Sequence, residues 1–153
     1  MMSYFLLKLI HILSATIMIG TGFGSAFYLY FTYKKTQAST VKDVLRFVIL
    51  ADKIFTLPSV FIQLATGWML ANLMSMLFTV WFWVVLSVSA AVLGCWIKAA
   101  FIQISLHEII SEENSIGPKF HKLMNQWFYL GIVSFLGAIY LYYLMVYKPF
   151  LIR

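Results

Sequence analysis

Charge is what this chain has least of: Asp, Glu, Lys and Arg together make up 10% of its 153 residues, against about a quarter in an ordinary soluble domain. A chain this poor in charge has too little polar surface to clothe a water-soluble sphere. Cysteine is nearly absent too. Cys95 stands alone, which excludes an internal disulfide and leaves the redox compartment unreadable. Acidic residues number five, and most of them fall in one stretch, "HEIISEENSIGPKFHK". What fills the space is apolar: 63% of the chain is hydrophobic and 18% aromatic, with a mean hydropathy of +0.91. Lipid must be the solvent for most of that surface. The net charge of +6 points to anionic headgroups rather than to nucleic acid, because the basic residues sit between apolar runs and not on one face.

Four apolar runs are evident, at 4–33, 44–73, 77–106 and 120–147, and they predict an all-α four-helix transmembrane bundle, up-down-up-down, in one domain over 1–153. The first run is roughly 45 Å long as a helix, too long for the core of a cleaved signal peptide. The first connection, 34–43, is "KKTQASTVKD", where Thr40 and Asp43 resemble a capping box. The second, around Asn72 and Ser75, is short and uncharged, so spans two and three form a tight hairpin. The third connection is 107–119, with Pro118 placed to open span four and Pro149 closing it. There is no internal repeat. Lys34, Lys35, Lys42, Arg46, Lys119 and Lys122 flank the longer connections, whereas the terminal side holds Lys8, Lys148 and Arg153. That asymmetry predicts cytoplasmic connections and extracytoplasmic termini.

Residues 8–24, "KLIHILSATIMIGTGFG", place ionisable groups inside an apolar run. Lys8, His11, Ala15, Met18, Gly22 and Ser25 recur at helical spacing and share a face, with Ser14 and Thr21 beside it. A polar and small stripe of this kind should look inward. His11 then has two readings: a ligand to haem iron, or a hydrogen-bonding group that joins a neighbouring helix. His107 and His121 flank the third connection at the opposite membrane face, so they cannot complete a bis-histidine haem with His11. Met69 and Met145, towards the same end of their spans, are the candidates for a second axial ligand. Gly20 and Gly24 form a small-xxx-small pair suited to helix packing, with Gly22 between them.

A second polar cluster is expected where span two reads "LADKIFTLPSV". A carboxylate in hydrocarbon needs a partner, and Lys98 on the antiparallel third span is the first choice for Asp52. Lys53 is the local alternative, and Asn125 and Gln126 lie near the same level. Pro58 lacks the N–H that Ile54 would receive and should kink the span. Two motifs fail. "HEIIS" at 107–111 has Ser where a zinc motif needs its second His, and "GTGFG" lies inside a membrane helix with no strand before it.

With "LLKLIHILSA" at 6–15, "ADKIFTLPSV" at 51–60, "TGWML" at 66–70, "CWIKAAFIQI" at 95–104, "FHKLMNQWFYLG" at 120–131 and "LMVYKP" at 144–149, the chain resembles domain of unknown function 2269. That is a bacterial family of predicted four-span integral membrane proteins without an assigned activity, and the likeness implies a bacterial inner membrane location. More distantly, Lys8 to His11 resembles the K-x-x-H opening of HemJ-type protoporphyrinogen oxidases, and CopD-like membrane domains open in a comparable way. The HemJ likeness implies b-type haem held by His11, with Lys8 as its basic companion, in electron transfer or haem metabolism. The residues themselves keep two further readings open: a small proton-linked transporter or accessory subunit of a membrane complex built on Asp52 and Lys98, and a cofactor-free structural bundle that forms a homo-oligomer through Gly20 and Gly24.

Overall fold

A computed structural model describes residues 2–149. The chain runs through α1 (Met2–Lys35), α2 (Ala38–Ala51), a five-residue π-helical segment (Asp52–Thr56), α3 (Leu57–Leu73), α4 (Val80–Glu113) and α5 (Pro118–Tyr147). α2, the π segment and α3 follow one another without a break, so the molecule has four membrane-spanning rods. Helices are what lipid permits, since each backbone N–H and C=O finds its partner within the same segment.

The rods are 33, 36, 34 and 30 residues long, or about 45–54 Å, well beyond a hydrocarbon core of about 30 Å. They therefore project past the bilayer, and this changes the connections. The expected loop at 34–43 shrinks to Thr36 and Gln37, and the one at 107–119 to residues 114–117. Polar side chains there ride on helices that continue into water, where nothing interrupts them. Thr40 and Asp43 lie inside α2 instead of capping it, and the cap position is Gln37, without a side-chain bond. Asn114, in the left-handed conformation, stops α4, and Pro118 opens α5 as its fixed φ favours. Across the membrane, Ser75 takes a positive φ in the turn. Thr79 accepts from the Phe82 N–H to cap α4. Leu77, expected in span three, belongs to that turn.

Pro58 does not break span two sharply. The turn before it widens, and the Leu57 N–H reaches back five residues to the Asp52 carbonyl. Proline removes one donor from the ladder, and a wide turn lets the helix change register there without losing its continuity.

At the connection end all four rods close around one core. Leu29, Val41, Leu45, Leu106, Ile110 and Phe120 are fully buried there. Towards the termini α1 packs along α3 and α4 along α5. A smaller cluster of Ala71, Trp81, Phe82, Val85 and Leu144 is pinned by the Trp81 indole N–H, which donates to the Leu144 carbonyl at 2.7 Å. α4 and α5 approach so closely that a Cβ on Gly137 would overlap Val92. The outward faces carry Phe5, Phe27, Phe61, Phe101 and Val146 in the open. Water would penalise that much exposed apolar surface; acyl chains do not.

Candidate functional site: a polar seam inside the membrane

The inward stripe of α1 forms as its spacing implies. Ser14 and Ala15 are buried, and His11, Met18, Thr21, Gly22 and Ser25 are half-buried. Lys8 leaves the stripe. It is exposed, and its ammonium lies 5.9 Å from the Tyr4 ring centroid, as expected of a long basic side chain near a membrane edge.

His11 faces α3, and both of its ring nitrogens are engaged. The Thr66 hydroxyl donates to the Ile62 carbonyl at 2.6 Å, which leaves its oxygen to accept from His11 Nδ1–H at 2.9 Å. That tautomer makes Nε2 an acceptor, and the Gln63 amide donates to it at 2.9 Å. Gln63 Oε1 in turn accepts from the Ser14 hydroxyl at 2.6 Å, a hydroxyl that also lies 2.9 Å from the His11 carbonyl. One proton assignment satisfies the whole chain from Ser14 to Ile62. Gly67 closes over the ring edge, where a Cβ would stand 3.1 Å from His11 Cε1.

Asp52 forms the second centre. Its carboxylate accepts from the Thr56 hydroxyl at 2.7 Å, and the side chain of Gln103 of α4 lies close to it. Asp52, Thr56 and Gln103 are all buried. Lys98, Lys53 and Gln126, the charged and polar neighbours expected from sequence, are exposed and take no part. The Thr56 hydroxyl stands where the anticipated ion pair would, and the reason is helical spacing: Thr56, four residues on, shares the inward side of Asp52, while Lys53, one residue on, points out.

The two centres lie on one line. Asp52, Thr56, Ser59, Gln63 and Thr66 follow at steps of four, three, four and three along span two, all buried or half-buried. That line covers about 21 Å. Against it α1 sets Ser14 and His11. Gln63, Thr66, Thr56 and Gln103 were not singled out from sequence as site residues, although the helical spacing of the first three with Asp52 was there to be read.

The remaining candidates separate from this seam. Met69 lies on the exposed face of α3, and Met145 packs with the Trp81 cluster. A Cβ on Gly20, Gly22 or Gly24 would meet nothing within 4 Å, so these glycines mark no close contact inside the bundle. His121 sits at the far end, where its Nδ1 and the Tyr33 hydroxyl share a hydrogen bond. Among the described residues no three His, Cys, Asp or Glu side chains gather as a metal site would require. A haem iron would need a free lone pair on His11, and here Gln63 faces Nε2 while Nδ1 donates to Thr66. As arranged, the site does not fit a tetrapyrrole.

Comparison with known proteins agrees with the architecture. No curated protein and no solved structure matches the chain, so the likeness of Lys8 and His11 to HemJ-type openings rests on those residues alone. The family described as predicted integral membrane protein (DUF2269) matches residues 5–149. With four apolar rods, an inward polar seam and a match over nearly its whole length, the chain belongs to that family of integral membrane proteins.

Proposed function

We propose that the protein is a small proton-linked membrane protein in which the seam between α1 and span two carries protons between Asp52 and His11. The observation that supports this most is the single inward line of Asp52, Thr56, Ser59, Gln63 and Thr66. Hydrocarbon penalises every one of these groups, and packing alone would be served by leucine or alanine. The charge asymmetry of the connections supports an orientation with the Asp52 end towards the cytoplasm and the His11 end towards the outside.

The chemistry follows from the donors and acceptors. A proton arriving at His11 Nε2 turns that nitrogen from acceptor to donor. The Gln63 amide then has to rotate so that Oε1 faces the ring, and the Ser14 hydroxyl, released from Oε1, keeps the His11 carbonyl as its acceptor. Each state satisfies the ring, so the proton is held without stranding a buried group. At the other end, Asp52 is the group that takes up and releases the proton, with Thr56 and Gln103 orienting its carboxyl.

Purified protein in phosphatidylcholine vesicles with an entrapped pH dye tests this. Wild type should dissipate an imposed pH gradient faster than empty vesicles, and Asp52→Asn should bring the rate back to that of empty vesicles. A rate unchanged by Asp52→Asn contradicts the proposal.

A competing proposal from the same histidine is b-type haem ligation at His11, in electron transfer or haem metabolism. The resemblance of Lys8 and His11 to HemJ-type openings is what motivates it, and it requires Gln63 to withdraw from Nε2. A Soret band that disappears in His11→Ala would establish it. A colourless protein after expression with added haem would end it.

A further inference from the structure

The flank of span two beside the core carries Lys42, Arg46 and Ile49 of α2 and Lys53 of the π segment at helical spacing, and this flank borders α4. Between the two helices lies a groove of about 310 Å³ lined by Arg46, Ile49, Lys53, Ile104, His107 and Glu108. We propose that this groove binds the headgroup of an anionic phospholipid that carries hydroxyls, such as a phosphoglycerol lipid.

Depth supports a lipid. Arg46 lies nine residues from the α1–α2 turn at Gln37, and Tyr28 about as far on the other side, so both stand at one level. Tyr28 and Tyr30 mark an aromatic belt of the kind that sits at the headgroups. Lys53 lies seven residues below Arg46, about 10 Å deeper, and its four-carbon stem carries the ammonium back up towards that level. Arg46 and Lys53 thus meet a phosphate from the span-two wall of the groove.

The other lining groups narrow the choice. Ile49 and Ile104 give the groove an apolar floor, and Phe101, 67% exposed, continues it down the outer face of α4 where an acyl chain would lie. Glu108 opposes a bare phosphate, which offers no donor at neutral pH beyond its own acid proton. A glycerol headgroup presents hydroxyls that donate to that carboxylate while its phosphate meets Arg46 and Lys53. Basic pockets between spanning helices on a positively flanked side are suited to such headgroups.

Native mass spectrometry of the intact protein, with equal amounts of phosphatidylglycerol and phosphatidylcholine added, reads this directly. Wild type should retain phosphatidylglycerol preferentially. Arg46→Gln and Lys53→Gln should each weaken that retention about fivefold, and on the order of 25-fold together. The pair Lys119→Gln and Lys122→Gln removes equal charge outside the groove and should leave retention within about twofold of wild type. Circular dichroism and the melting temperature of each variant show whether it is folded, and Ile104→Asn, a single neutral change in the floor, supplies a second variant at the site. Equal retention of the two lipids overturns the proposal. So does an equal loss in the Lys119 and Lys122 pair, or displacement of the lipid by millimolar inorganic phosphate.

Discussion

His11 sits where an ionisable ring is expensive to place, and each of its nitrogens is answered by a side chain of span two. Gly67 completes the fit, because its missing side chain leaves the ring room with only 3.1 Å between His11 Cε1 and the position a Cβ would take. Gly67→Leu should therefore push the ring off Thr66 and Gln63. Hydrogen bonds between spanning helices are worth about 0.6 kcal/mol on average and up to roughly 1.7, so losing both should cost about 1–3 kcal/mol. Thermal unfolding in detergent measures this, and a cycle with Gln63→Leu isolates the cause. If the strain acts through the ring, Gly67→Leu costs less in the Gln63→Leu background than in wild type. Equal costs in the two backgrounds would separate Gly67 from His11. Much of this site was legible beforehand. The spacing of Ala15, Met18, Gly22 and Ser25 placed the inward face of α1, whereas Lys8 left it because a long cation near the membrane edge finds headgroups by bending outward.

Span two shows where reading the sequence runs out at the scale of an element. Its polar residues at 52, 56, 59, 63 and 66 keep a helical period, but a carboxylate in hydrocarbon by itself suggests a lysine partner. A buried acid is satisfied by a neutral donor such as Thr56, and which side chain of a facing helix it meets depends on helix rotation. That rotation is altered by the π segment, a compromise between the missing N–H of Pro58 and the faces that must pack on both sides. No local pattern specifies it. A π turn amounts to one inserted residue, which makes a sharp prediction. Deleting Phe55, exposed within Asp52–Thr56, should restore an ordinary helix while leaving both flanking faces in register, so helical circular dichroism and cooperative melting should survive. Deleting the equally exposed Leu64 turns everything beyond it by about 100°, removes Thr66 from His11 and should abolish a cooperative melt. The idea fails if the two deletions behave alike.

At the scale of the whole molecule, four rods and their order followed from hydropathy, and the family match over 5–149 agrees with them. The rods run longer than the apolar runs because polarity marks the edge of the lipid and does not end a helix. The connection ends are where α1, α2, α4 and α5 close around Leu29, Leu45, Leu106 and Phe120. With the rods so held, the proposed proton path turns on one condition: the ring of His11 must be bonded at both nitrogens by span two. Solid-state ¹⁵N spectra of histidine-labelled protein in bilayers measure this. The His11 ring, assigned by its loss in His11→Ala, should show one protonated and one unprotonated nitrogen near neutral pH. The unprotonated signal should move in Gln63→Leu and the protonated one in Thr66→Val. Ring signals that ignore both substitutions, or an Nε2 resonance of a metal-bound imidazole, would contradict it.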